Sequence, residues 1–455
     1  MSRSNRKKHM KKRSRSPTRI IALTFAAIIL AGALLLTLPA ASRDGISCGF
    51  RPALFTATSA TCVTGLVLYD TWTQWSGFGQ IVILSLIEIG GLGFMSAASL
   101  FVFLLRRKVG LRQRMLMAQA LSVDDMQSVV KLQKWVLIGS ICIQLAGALV
   151  LFFRFLPHYG VANAAKWGVF HGISAFCNAG FDIFGCIEPG ASIAMFNQDP
   201  VVCLTLAVLV ILGGLGFFVW EEVVRLRSFK RFSVYTKLVL LTTGVLLLGG
   251  MGLILLTEWN NPATLGNMGV GGKLLNAFFQ SATLRTAGFA SFDQAGLTES
   301  GKVVSIVLMM IGGSSGSTAG GVKTVTFMVL ILFIAARLRG RSTVTVFKRS
   351  ILPEKVLDAM TIVLAVLGLS VIGAAVICIT SPVTFTDGLY EAVSALATVG
   401  LTAGVTPLLS IPAQYVIIIF MYFGRVGVLT LSLGFLMGDR AQDRFQYAHT
   451  NLLIG

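Results

Sequence analysis

Four short stretches of this sequence end alike, each on a glycine two residues past a variable position. They read Val63-Thr64-Gly65, Asn178-Ala179-Gly180, Thr286-Ala287-Gly288 and Thr398-Val399-Gly400. The pattern suits one kind of chemistry. A cation leaving water must exchange its hydration shell for protein oxygens, and rings of backbone carbonyls supply them. A strand that turns its carbonyls inward needs unusual dihedrals, which glycine reaches without a Cβ penalty. Glycine therefore recurs while its neighbours vary among Val, Thr, Ala and Asn. The glycines lie 115, 108 and 112 residues apart. Any one of them is as well explained as a packing point between membrane helices; four in register point to a repeated strand.

A second signature follows each of the first. It reads Gly90-Gly91-Leu92-Gly93, Gly213-Gly214-Leu215-Gly216, Gly312-Gly313-Ser314-Ser315 and Gly424-Arg425-Val426-Gly427. The first two copies read as plain small-residue packing. The third continues as Gly316-Ser317-Thr318-Ala319-Gly320-Gly321-Val322-Lys323, with five glycines in residues 312–321. Glycine costs about 1 kcal/mol each against alanine in a helix, so a helix is expected to break there into a loop lining a pathway. A flexible kink is the plainer alternative. A phosphate-binding loop is excluded, because Val322 separates Gly321 from Lys323 and no strand precedes the run. In the fourth copy Arg425 replaces a glycine. A membrane arginine faces a bundle interior, either against the hydroxyls and carbonyls of 312–321 or against a carboxylate such as Glu88. Asp182, two residues past Gly180, is a candidate for concentrating cations at an outer mouth or an ordinary solvated loop residue.

The elements that must position these groups are apolar. The 455 residues are 55% hydrophobic and 13% charged, with mean hydropathy +0.80, against about 25% charged in soluble proteins. An ordinary soluble enzyme, a disordered chain and a nucleic-acid-binding domain are excluded. Eight runs long enough to cross a membrane lie near 20–40, 79–105, 135–156, 200–224, 237–257, 302–336, 356–380 and 411–437. Shorter half-polar stretches near 52–64, 164–179, 273–287 and 386–399 read as re-entrant, tolerable only where buried in protein or lining water. Of 38 Lys and Arg, 29 fall in alternate connections or termini and seven in the others. That bias puts both ends on the cytoplasmic side and makes the basic arm a topology signal facing anionic lipid. The seven cysteines lack paired or metal-ligand spacing and read as small buried hydrophobes. The four histidines are scattered, and no triad or paired carboxylate recurs, which disfavours an integral membrane enzyme.

The expected architecture is an all-α polytopic membrane protein with four pseudo-symmetric repeats of helix, re-entrant pore loop and helix around one central pore. Its segments are a basic cytoplasmic arm (1–19), repeat one (20–108), an amphipathic cytoplasmic linker (109–134), repeat two (135–228), repeat three with a broken second helix (229–340), repeat four (341–437) and a cytoplasmic tail (438–455).

With these motifs in hand, the sequence resembles the Ktr/Trk/HKT superfamily of potassium transporters over essentially the whole chain, nearest the Ktr-type membrane subunit. The Trk branch typically adds two N-terminal helices that have no room before residue 20. The resemblance implies a filter built from the twelve triplet residues, potassium held at their carbonyls, and an intramembrane gating loop at 312–321 beside Arg425. A glycine at the first filter position, here Gly65, goes with potassium permeation in that family. It also implies no cofactor in the chain, sodium as a candidate activator, a homodimer, and a cytosolic nucleotide-binding regulatory ring of the RCK type. The implied setting is a bacterial plasma membrane. A sodium-permeable relative and a carrier with a midplane site are the alternatives; fourfold repetition argues against the inverted halves common in carriers.

Overall fold

The computed structural model describes residues 17–93 and 129–427. Most of the basic arm, residues 109–128 of the linker, the end of the first repeat, residues 428–437 of the last span and the tail lie outside the described residues.

Each repeat opens on a long apolar helix: α1 (Pro17–Thr37), α5 (Val129–Phe176), α8 (Val234–Glu258) and α12 (Pro353–Thr380). Their apolar faces point outward. Leu256 is 82% and Ile379 83% exposed, which is tolerable only against lipid. In repeats one, three and four a shorter helix then returns toward the centre: α2 (Phe50–Cys62), α9 (Val270–Thr283) and α13 (Phe385–Leu396). In the second repeat the returning helix is continuous with α5 but separated from its first part by Gly160, which sits at φ 75° just past Pro157. A short turn of helix, α3 (Thr71–Gln74), follows the first returning segment.

The closing helices are α4 (Gly77–Leu92), α6 (Pro200–Leu215), α10 (Glu299–Met310) and α14 (Ile411–Val426). All four begin on a side-chain cap: Ser76, Asp199, Thr298 and Ser410 each accept a bond from a first-turn amide. Three of their far ends are set by a glycine. At 1.5 Å per residue a 16-residue helix covers about 24 Å, short of the roughly 30 Å core. α4, α6 and α14 stop at Gly93, Gly216 and Gly427, all at positive φ. After Gly216 the chain turns by 95° into α7 (Phe217–Leu226). Among the described residues four helices, or five with the bent pair, are long and apolar enough to cross; the expected runs at 79–105 and 411–437 continue past the described residues. The reason for these helix ends is local: the glycine at the fourth position of the second signature combines a positive φ with an extended ψ, a conformation that ends a helix and that glycine alone adopts readily. The Gly-Gly-Leu-Gly copies are therefore terminators as well as packing motifs. In the third repeat α10 ends at Met310 and helix resumes only at α11 (Thr324–Leu338). A two-residue hairpin, β1 (Thr345–Val346) with β2 (Arg349–Ser350), joins the third repeat to the fourth.

The repeats close on one another in cyclic order. α4 packs against α5, α6 against α9, α10 against α13, and α14 against α2. Each closing helix thus supports the returning helix of the next repeat, and the last supports the first.

Candidate functional site

The four triplets adopt one backbone conformation. Val63, Asn178, Thr286 and Thr398 lie at φ 56°, 59°, 73° and 52°, and Gly65, Gly180, Gly288 and Gly400 at φ 98°, 69°, 84° and 94°. Two positive-φ residues flanking one ordinary residue reverse the strand locally. The middle residue's amide turns back to its own returning helix: Thr64, Ala179 and Val399 donate to the carbonyls of Ser59, Ser174 and Ser394 at 2.8 Å, and Ala287 to Thr283 at 2.9 Å.

The middle carbonyls then meet the next repeat. A Cβ on Gly65 would lie 2.6 Å from the Ala179 oxygen; one on Gly180, 2.7 Å from that of Ala287. On Gly288 it would lie 2.7 Å from the Val399 oxygen, and on Gly400, 1.9 Å from that of Thr64. The sequence of contacts runs one, two, three, four and back to one. All twelve triplet residues are brought into this ring. Glycine is required here twice over, by φ and by the approach of a neighbouring carbonyl. The helix ends preceding the ring carry partial negative charge at their C-termini, which favours a cation.

Hydroxyls brace the ring. Ser59 and Ser394 accept from the amides of Gly65 and Gly400 at 3.0 and 3.1 Å, while Ser174 and Thr283 donate to the carbonyls of Phe181 and Phe289 at 2.7 Å. Sequence reasoning passed over these four side chains. Their signal was a hydroxyl five or six residues before each glycine.

The segment 311–323 lies on the closing-helix side of the ring. Its two arms pair with each other, Gly312 donating to Val322 and Val322 to Met310, both at 3.0 Å. Its far part reaches three of the four strands: the Thr318 hydroxyl donates to the Phe176 carbonyl at 3.1 Å, the Gly320 amide to the Thr286 hydroxyl at 3.3 Å, and a Cβ on Gly320 would fall 2.0 Å from the Thr398 hydroxyl. In repeats one, two and four the first glycine of the second signature abuts the end of a returning helix, at Thr61, Phe176 and Leu396. In repeat three Gly312 abuts Gly320 of its own loop instead. The loop is also bound to the bend after α6. Ser314 and Thr318 donate to the carbonyls of Gly214 and Gly213, Phe217 donates to Gly316, and the Tyr235 hydroxyl donates to Ser315 at 2.8 Å. Ser317 donates to Ser314 within the loop at 2.7 Å. Neither Tyr235 nor the Gly213 and Gly214 carbonyls stood out in the sequence.

Arg425, at the end of α14, donates to the Thr318 carbonyl and to those of Gly90 and Gly91. It makes no ion pair with Glu88, which accepts instead from Gln144 at 3.0 Å and from the Cys177 thiol at 3.4 Å. Lys323 caps the loop's return by donating to Ala319 at 2.7 Å. Asp182 is half-buried beyond the ring and accepts from the Phe184 amide at 3.2 Å. Burial, and then the nearby Asp70 carboxylate, push its pKa up to about 7. Of the cysteines, Cys62, Cys177 and Cys203 are buried as expected, but Cys142 and Cys186 are exposed. Cys142 faces outward from α5, and Cys186 sits in a surface loop.

A ring of carbonyls at the meeting point of four re-entrant strands, inside an apolar helical shell, defines a class: membrane proteins that pass cations. The chain belongs to the TrkH family of cation transport proteins, whose sequence profile matches residues 1–444. It is 39% identical over 454 residues to the potassium/sodium uptake protein NtpJ of Enterococcus hirae, covering 98% of this chain and 99% of that one. It is 40% identical over 432 residues to the Ktr system potassium uptake protein B of Bacillus subtilis, covering 94% and 95%. The crystal structure of the potassium transporter TrkH from Vibrio parahaemolyticus superposes with a TM-score of 0.72 at 19% identity, covering 94% of this chain and 86% of that one.

Proposed function

We propose that this chain is the membrane subunit of a potassium-uptake system in a bacterial plasma membrane. The observation that carries the reading is the closed order of glycine-to-carbonyl contacts through Gly65, Gly180, Gly288 and Gly400. It sets four carbonyls against four neighbouring strands with no room for a side chain between them. A potassium ion crossing the ring exchanges water for these oxygens, and the field of the helix C-termini offsets its charge in a region where an unscreened ion is costly. The names of the relatives, potassium or potassium/sodium uptake proteins, support the same cargo.

The segment 312–321 is the gate in this reading. It bonds the second and third strands, abuts Thr398 of the fourth and blocks the route just past them, while Arg425 holds it through Thr318 and adds a repelling charge. The placement of basic residues supports both termini inside. The Ktr name of the Bacillus relative supports a multi-subunit system; the proposed partners are a second copy of the chain and a cytosolic nucleotide-binding ring, with sodium as an activator. Sodium permeation is the second reading, favoured by the Enterococcus relative's name. Initial fluxes of potassium, rubidium, sodium and lithium into proteoliposomes separate the two. Potassium and rubidium should enter and sodium and lithium should lag; equal entry of sodium would replace the first reading by the second.

A further inference from the structure

Arg285 immediately precedes the third triplet. The matching positions before the other three are Cys62, Cys177 and Ala397, all uncharged. Its side chain is 8% exposed. A buried guanidinium needs acceptors, and this one has few. Its Nη2 donates to the Gly312 carbonyl at 3.1 Å, and its Nε has no partner among the described residues. No carboxylate among the described residues pairs with it. It lines a cavity of about 10 Å³ with Val210, Gly214, Thr243, Leu247 and Gly313, room for about one water molecule.

The bonded carbonyl sits at a particular place. Gly312 is where α10 has just ended, and its own amide donates to Val322 on the returning arm. A hold on Gly312 therefore holds the base of both arms. The cavity lies beside Gly313 and Gly214, where the loop base meets the bend after α6. Arg425 grips the opposite, far part of the loop at Thr318. From these placements we propose that Arg285 is a positioning residue for the loop, tethering its base from within the filter strand of the same repeat. The inference rests on the gate reading above. A loop that swings aside must break the Arg285 bond, and the guanidinium then finds a substitute acceptor only in the small cavity behind it.

The test is initial potassium uptake into proteoliposomes by folded Arg285→Gln and Arg285→Lys variants, each made in the intact chain and in one shortened within 313–319. Loss of a charge-assisted bond should raise uptake by about fivefold for glutamine, and by about twofold for lysine, which keeps a donor without the planar fork. The preference for potassium over sodium should not change. In the shortened chain neither variant should add anything further. If glutamine acts equally in both backgrounds, or lowers selectivity while lysine behaves as wild type, Arg285 acts on the filter's electrostatics and the proposal falls. Should the glutamine variant fail to fold, the lysine variant alone decides, by a rise in the intact chain against none in the shortened one. If shortening the loop does not itself raise uptake, the gate reading fails first and this inference with it.

Discussion

Gly400 has the closest approach in the ring, its missing Cβ lying 1.9 Å from the Thr64 oxygen. A serine there must push the neighbouring carbonyl aside and also hold φ near 94°. Gly400→Ser should therefore lower discrimination of potassium from sodium at least tenfold, equivalent to about 1.4 kcal/mol, as read by reversal potentials or paired ion fluxes at matched expression. Asp182 supplies a stability test. Its folded pKa is raised to about 7 by burial and by Asp70, against an ordinary value near 3.9 in the unfolded chain. The folded state thus binds this proton more tightly, and the cost of the charged form is absent at low pH, grows through the interval and is complete above 7. Asp182→Asn should raise the melting temperature at pH 8 clearly more than at pH 5. An equal change at both would show that its ionisation is uncoupled from folding. At this scale the sequence was informative where a residue type was forced. The triplet glycines stood out because nothing else fits their φ and contacts. Arg285 and Tyr235 did not, because their partners are backbone carbonyls that lie far along the chain or inside the loop.

Among the elements, the returning helices were readable from their length and half-polar character, and α2, α9 and α13 occur where the short stretches lie. The closing helices were read less well. Hydropathy carries straight through Gly216, since the residues on both sides are apolar, but a helix depends on backbone dihedrals that hydropathy does not record. The shared register of Gly93, Gly216 and Gly427 was the missed signal. The 311–323 segment differs in being long enough to fold back under the ring and polar enough to bond it. Removing several residues within 312–321 should raise initial potassium uptake by about tenfold or more, with selectivity kept, because the ring lies in other segments. Arg425→Ala should raise it less, since one charge-assisted contact to Thr318, of about 1.5–3 kcal/mol, is lost while the bonds to Gly213, Gly214 and Phe217 stay. Uptake that is unchanged or reduced in folded, loop-shortened protein would remove the gate from the account.

For the whole molecule, the fourfold repetition and the outward apolar surface were legible together, because lipid exposure and internal symmetry both leave marks in composition and spacing. Assembly leaves weaker marks. The exposed side chains of Arg225, Arg227, Lys230, Arg231, Arg337, Arg339 and Arg341 lie at the ends of α7 and α11 and in the connections that follow them, where the proposed cytosolic ring would meet them. Exposed charge contacts are screened within about 8–10 Å at physiological ionic strength. Binding of a nucleotide-binding ring to the purified membrane subunit should therefore weaken progressively as salt is raised from about 0.05 to 0.5 M; salt-independent binding would point to an apolar interface elsewhere. The central claim remains the ring itself, and rubidium, which scatters anomalously, probes it directly. An anomalous difference map from crystals of the purified protein grown in rubidium should show a peak on the axis, coordinated by the carbonyls of Thr64, Ala179, Ala287 and Val399. A protein that transports rubidium yet shows its peak away from those four oxygens would contradict the account.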